Sequence, residues 1–399
     1  QYVESSQYNR YNNNIKMKKI IKIILFLGTI FSIFEGRTFA SEKIKIGLLV
    51  PLTGKNSEIG QSIIKSTRLA VNKINNLSIE IIPRNTQSSP EGALRAAKEL
   101  IELDIKIIIG PVFNKNLIYL DGLNGVTFLS LTNKDNNFSK NIINAGINAT
   151  SQLNAIKKFL KLNEAKKTIF LTPDVDYKNE IKKAISNSKI KILENYIYNT
   201  DPTKLTQQIE KITRYNLRKQ NLKDEIKRLE KSNQNNKGKL IEKLKKRDTL
   251  GNVKFDSVII ADFDESLKSI TTSLLYTDIS PKEKYFITLN QWFDETLLEE
   301  LSSQPLFFPS INKKNYENFS LEYFEKFNQY PNQLSFLSFD LVGLVYYLII
   351  QNESIVNEKI FTKKNLFKGK VGIFEIKNNK INHILNFYKV ENSEFKKIF

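Results

Sequence analysis

The sequence predicts an α/β protein of two lobes, each a mainly parallel sheet flanked by helices, with a basic helical hairpin inserted in the second lobe. Three observations predict it. Runs such as Lys43–Val50 are apolar on both faces, and each is followed by a run at helical spacing. One polar, lysine-rich stretch from Lys204 to Arg247 fits neither pattern. Strands buried on both faces belong to parallel sheets, and strands alternating with helices imply crossover connections.

The first unit is KIKIGLLVPLTGKNSEIGQSII, Lys43–Ile64. Ile44, Ile46, Leu48 and Val50 recur at a period of two. Pro51 ends the ladder, Gly54 permits a tight turn, and Ser57 is placed to cap a helix with Ile59, Ile63, Ile64 and Thr67 inward. Ser78–Thr86 reads as a strand ending near Pro83. Ser89 caps the next helix, with Pro90 at its first position and Leu94, Ala97, Leu100 and Ile101 inward. Strands follow at IKIIIGPV, stopping at Gly110-Pro111, at Val126–Asn133, and near 141–148.

The pattern then restarts. A helix from Gln152 leads to a strand over Lys166–Asp174, and a helix from Tyr177 to a strand over Lys191–Asn199. A helix from Pro202, a strand over Phe255–Asp262, a helix from Glu265 and a strand over Lys284–Asp294 complete the set. After SSQPLFFPSIN come a helix over 315–328 and a strongly apolar one over Ser338–Ile350. FKGKVGIFEIKNNKINHILNFYKV reads as a hairpin turning at Asn378-Asn379. The first lobe is expected over 41–148, with about 305–352 returning to it. The second is expected over 149–304, with a C-terminal hairpin over 353–399 returning to it.

The stretch over 204–247 is helical by pattern. Leu217, Ile226 and Leu229, then Leu240, Ile241 and Leu244, form a thin apolar stripe, broken at Ser232–Lys239. This is an αα-hairpin whose seam is too narrow for deep burial. It is either a solvated insertion or an arm for an anionic surface or protein. The chain's net charge is +19, and this stretch holds 15 Lys+Arg against 5 Asp+Glu. The basic character is therefore local. No basic patch interleaves with stacking aromatics and no known module appears, so nucleic acid is not an expected partner.

Met17 is the single methionine. Residues 1–16 are polar and aperiodic and are expected to precede the start. Lys18, Lys19 and Lys22, the apolar run Ile23–Phe34 and Thr38-Phe39-Ala40 have the layout of a secretory signal peptide, cleaved near Ala40. Its apolar helix would span roughly 18 Å, short of the ~30 Å hydrocarbon core. No later run reads as long and apolar enough to cross a membrane, and a periplasmic location is expected. There is no cysteine, hence no disulfide and no lipid-bearing Cys.

Without Cys, and with one histidine, thiol chemistry, a His-based triad and zinc sites are set aside. His383 falls in the terminal hairpin and is assigned no chemical role. Asp262–Glu265 (DFDE) lacks the offsets of a calcium loop and reads as a cap for the following helix. In DVDYKNE, Asp174 or Asp176 serves as a cap or a ligand contact. Gly110-Pro111 is no phosphate-cradling glycine run, and no nucleophile elbow is present. The chain is expected to be no enzyme and to carry no cofactor or metal.

IKIGLLVPLTGKNSEIGQSIIKSTRLAV and RNTQSSPEGALRAAKELIELDIKIIIGPVF resemble the type 1 periplasmic binding proteins of the leucine-binding family. LSFDLVGLV is similar to the late helix of that family, and the last run resembles its closing hairpin. RDTLGNVKFDSVIIADFDESLKSI and LNQWFDETLL resemble the penicillin-binding protein activator branch. The resemblance spans about 43–390. It implies the two-lobe type 1 periplasmic-binding fold, non-enzymatic, with a cleft that closes by hinge motion. The expected function is regulation of peptidoglycan synthesis; the alternative is the substrate-binding component of an ABC transporter for branched-chain or other amino acids. The expected partners are a peptidoglycan synthase or an ABC permease, with a small amino-acid-like ligand in the cleft. By the same resemblance, ligand-contacting positions are Thr53 and Gly54, Val112, Phe113 and Asn114, and Thr132 and Asn133 from the first lobe. Asp176, Tyr177 and Trp292 face them from the second. No serine follows Gly110-Pro111, where a hydroxyl would hold an α-carboxylate, and this favours the activator reading.

Overall fold

The computed structural model describes residues 43–75, 79–134, 138–289, 292–352 and 358–399; the expected signal peptide lies outside them. The first sheet holds β1 (Ile44–Val50), β2 (Ile79–Asn85), β3 (Ile107–Ile109), β4 (Thr127–Ser130) and β5 (Ile142–Asn144), in the order β2-β1-β3-β4-β5. β1 pairs parallel to β3, β3 to β4 and β4 to β5. Only Lys45 of β1 is exposed, as a strand covered on both faces requires. β2 runs straight through Pro83 instead of ending there, because it is an edge strand and one missing N–H costs it nothing on the open side.

Helix α1 (Ser57–Ile74) begins at Ser57 itself, which therefore does not cap it. Asn56 holds the cap position without a side-chain bond, and the Ser57 N–H donates to the Gly54 carbonyl at 3.1 Å. Helix α2 (Pro90–Glu102) starts as its sequence dictates: Ser89 Oγ accepts from the Gly92 N–H at 3.0 Å, with Pro90 first in the helix. Its buried face is Gly92, Ala93, Ala96, Ala97 and Leu100; Leu94 and Ile101 are half-buried.

The second sheet is built on β6 (Thr168–Pro173), β7 (Glu194–Tyr198), β8 (Ser257–Ile260), β9 (Tyr285–Thr288) and β10 (Leu306–Ser310). These five pair in parallel. Helix α3 (Ala149–Leu162) leads into it, and Phe159 packs on Tyr285, Phe307 and Phe387 with ring centroids 4.5–5.3 Å apart. Helix α4 (Lys178–Ser188) follows β6 and α5 (Pro202–Thr213) follows β7. Ile169, Val258, Ile260, Phe286 and Phe308 share one buried core with Leu205 and Ile209 of α5.

The αα-hairpin consists of α6 (Tyr215–Glu230) and α7 (Lys237–Lys245). Leu217, expected in its seam, is 56% exposed. The buried residues of α6 are Tyr215, Arg218, Leu222 and Leu229, one helical face to which 217 does not belong; α7 buries none. Helix α8 (Asp264–Tyr276) then connects β8 to β9.

β10 is a correction to the sequence reading, which passed over SSQPLFFPSIN and assigned 305–352 to the first lobe. Leu306–Ser310 is an inner strand of the second sheet, so the chain leaves that sheet only after Ser310. Pro309 is tolerated because the register with β9 covers only Leu306 and Phe307. Helix α9 (Lys313–Phe327) and helix α10 (Gln333–Gln351) pack on α1. α10 corrects the expectation that no later run is membrane-spanning by composition: its 19 residues are long and apolar enough. Here it is a core helix, with Phe336, Leu341, Val342, Leu344, Val345 and Ile349 at 0% exposure.

The terminal run is more than one hairpin. β11 (Asn365–Lys368), β12 (Ile373–Lys377) and β13 (Lys380–Ile384) form a separate antiparallel sheet, turning at Asn378-Asn379 as read. β14 (Asn386–Glu391) then pairs antiparallel with β10, and β15 (Glu394–Lys397) with β14, so that the second sheet has seven strands. Leu385 alone separates β13 from β14, which lets one extended run serve two sheets.

Candidate functional site

The carboxyl ends of parallel strands are where open α/β sheets bind ligands. Seven of the ten expected site residues follow β1, β3 and β4, which are neighbours in the first sheet. Thr53 and Gly54 are exposed in the loop after β1, and Gly54 needs no side chain because its φ is +79°. Thr53 Oγ1 accepts from Asn85 Nδ2 at 3.0 Å. Asn85 also accepts from the Leu52 and Gln87 N–H groups, both at 2.9 Å, and so ties the ends of β1 and β2 together.

After β3 the Gly110-Pro111 peptide is cis. Val112 is buried, Phe113 and Asn114 are half-buried, and a 3-10 turn begins at Asn114. After β4, Thr132 is 6% exposed and Asn133 is exposed. Thr132 Oγ1 accepts from the Lys134 N–H at 3.2 Å.

The remaining three lie on the second sheet. Asp176 is exposed and Tyr177 half-buried after β6; Trp292 is half-buried after β9, its ring 6.5 Å from Tyr316 of α9. Tyr316 packs in turn on Phe336 of α10 at 5.4 Å. Trp292 thus stands against the helices that pack on α1. The structure brings the first seven to one sheet edge and the other three to the edge of the second sheet. Cavities of 310–610 Å³ elsewhere on the chain are lined by other residues.

The strongest electrostatic feature of the second edge was misread from sequence. Asp262 does not cap α8: the cap position is Phe263, with no side-chain bond. Asp262 is buried, accepts the Tyr198 hydroxyl and its own neighbour's N–H (Phe263, 3.0 Å), and its pKa is raised by burial against the pull of those donors. Tyr177 donates to the Ala261 carbonyl at 3.1 Å, and burial, then the Asp262 charge, push it up to about 12. Tyr198 is pushed up by burial, then by its hydrogen bond to Asp262 and the charge of that group. The sequence signal was present in VIIAD, an acid at the end of a fully apolar strand. Asp174 likewise pairs with Lys178 instead of capping α4. Among the described residues no group of three or more His, Asp or Glu is arranged to hold a metal.

His383 has a structural role. Its ring, fully buried, makes an Nε2 hydrogen bond to the Ala145 carbonyl at 2.8 Å, and its backbone N–H donates to Ser151 Oγ at 3.1 Å. It fastens β13 to the crossover between β5 and α3.

This architecture, two mainly parallel sheets linked by crossovers with their strand ends carrying polar residues, is the fold of the type 1 periplasmic binding proteins. Residues 43–215 match the family model described as periplasmic binding protein. The leucine-binding protein LivK of Thermotoga maritima is 16% identical, with 89% of this chain and 98% of that one covered and a TM-score of 0.54. A solute-binding protein of an ABC transporter from Rhodopseudomonas palustris, in complex with 3,4-dihydroxybenzoic acid, is also 16% identical, covering 87% and 92%, with a TM-score of 0.53. The C-domain of LpoA from Haemophilus influenzae, a regulator of PBP1A, is 14% identical, covering 89% and 100%, with a TM-score of 0.59. No curated protein sequence matches the chain.

Proposed function

We propose that this protein is an exported, non-enzymatic regulator of peptidoglycan synthesis in the envelope, acting on a synthase in the manner the name of LpoA describes for PBP1A. One observation carries this reading. The loop after β3, where a transport protein would present a hydroxyl to an α-carboxylate, offers Val112, Phe113 and Asn114, and Val112 is buried. The basic hairpin α6–α7 supports it as a surface for an anionic face of the partner: Lys219, Lys223 and Lys227 are exposed at one-turn spacing. The transport reading draws on Thr53 and Thr132, whose hydroxyls accept one bond each and keep a proton to donate.

Calorimetric titration with the twenty free amino acids separates the two. The regulator produces no binding heat with any of them, and its association with a peptidoglycan synthase weakens when Lys219, Lys223 and Lys227 are reversed to Glu. Binding of any one amino acid at micromolar affinity defeats this proposal and makes the chain a transport component.

A further inference from the structure

β7 is the end strand of the second sheet, with β6 on one side and, among the described residues, no strand on the other. The Asp174 N–H donates to the Tyr198 carbonyl at 2.8 Å, so the backbone of Tyr198, and by alternation that of Tyr196 and Glu194, faces β6. The N–H and C=O groups of Asn195 and Ile197 therefore point out of the sheet. An open edge of this kind is a template for another strand, and proteins blunt it with lysine, proline or brevity. The other edges of this chain follow that rule. β2 carries Pro83 and Arg84, β5 has three residues, β15 carries Lys396 and Lys397, and β11 and β13 carry Lys368 and Lys380. β7 has five residues and neither lysine nor proline. Its one charge, Glu194, accepts the Tyr196 hydroxyl of its own strand at 2.6 Å. Ile197, and Leu193 just before the strand, are both 56% exposed.

We propose that the β7 edge pairs antiparallel with the β7 edge of a second copy of this chain, joining two second sheets into one. Two features select a copy of itself. With Asn195 opposite Asn195, each Ile197 meets Leu193 of the second copy, so one two-fold axis covers both exposed apolar side chains twice. The strand's surroundings are also polarised. Lys189 and Lys191 stand exposed before it, and Asp174 and Asp201 stand at its end. Antiparallel pairing sets the basic end of each copy against the acidic end of the other. One strand pair makes a small interface, so the dimer forms and dissociates with concentration.

The test is sedimentation velocity of the full chain across a series of concentrations. Monomer gives way to dimer as concentration rises, and less so in high salt. Ile197→Pro removes an N–H that the monomer does not use, and Ile197→Lys places a charge on the edge. Each weakens dimerisation by about tenfold or more with the melting temperature unchanged; should the proline variant fail to fold, the lysine variant decides. The chain has no cysteine, so an introduced one reports the register. Asn195→Cys forms a disulfide between copies, since opposite Cα atoms of a hydrogen-bonded pair lie about 5.5 Å apart. Ile197→Cys does not, because the two positions are offset by four residues, about 13 Å. A monomer at every concentration, a dimer indifferent to the Ile197 variants, or a disulfide at 197 in place of 195 overturns the assignment. So does protection of the β7 amides from exchange only when a peptidoglycan synthase is added, which gives the edge to that partner. The inference stands apart from the regulatory reading, because self-association requires neither a synthase nor an amino acid.

Discussion

His383 and Asp340 are two buried titratable groups whose contributions to stability run in opposite directions with pH. Burial lowers His383 to about 4, against the help of the Ala145 carbonyl, and its Nδ1 has no partner. The unfolded chain therefore takes up the proton first: the contribution is complete above pH 6.5 and is lost as pH falls toward 4. Over that window the loss amounts to about 3 kcal/mol. Asp340 of α10 is 3% exposed and accepts the backbone N–H groups of Lys370 (2.8 Å) and Val371 (2.6 Å). Burial outweighs those donors and raises it to about 7, so its contribution is complete below pH 4 and is lost as pH rises through 7. Gly369 must be glycine here, since a Cβ would lie 2.1 Å from the Asp340 carboxylate. In His383→Gln the His383 slope is lost while the Asp340 slope remains. Thermal unfolding between pH 6.5 and 4 then shows the variant gaining about 3 kcal/mol relative to the parent; parallel curves for the two proteins refute the account.

At the scale of elements, Arg218 is a buried polar anchor at the base of the hairpin α6–α7. Arg218 is 5% exposed; it donates to the Thr213 carbonyl at 3.0 Å, to Thr249 Oγ1 at 2.9 Å and to the Thr277 carbonyl. Its own carbonyl accepts the Leu250 N–H at 3.0 Å where the chain returns. Arg218→Ala leaves the Thr213 and Thr277 acceptors without this donor and costs about 2–4 kcal/mol. Hydrogen exchange accelerates across 214–250 while the strands β6, β8 and β9 keep their protection; uniform exchange across the second lobe would show that the hairpin and the sheet unfold together. The hairpin's existence was legible from its polar helical pattern. Its anchor was not, because an arginine in a run of lysines carries no mark of burial. The same limit explains Leu217, which is apolar yet points outward.

At the scale of the whole molecule, the alternation of apolar runs with capped helices made the two-lobe α/β class readable, and Ser89-Pro90 placed one helix start to the residue. Pro305 and Pro309 disguised β10, since proline signals a loop until the register shows that its N–H is not required there. The terminal run was legible only in its turn. That Ile373–Lys377 and Lys380–Ile384 pair with each other follows from local pattern; that the next six residues join a different sheet depends on partners more than seventy residues earlier. The strand-end positions were reachable by analogy, whereas the pairing of Asp262 with Tyr198, 64 residues apart, required the fold. Removal of residues 386–399 opens the β10 edge, and the truncated chain aggregates on refolding where the full chain does not; a soluble truncation with native circular dichroism contradicts this.

β14 lies in the chain after every other element of the second sheet except its own neighbour β15, yet it pairs along the whole length of β10. A ribosome therefore makes β6 to β10 before the segment that covers the second edge of that inner strand exists. Until then Leu306 to Ser310 has only β9 beside it, its other edge stays open, and the growing polypeptide depends on that edge being shielded until β14 emerges.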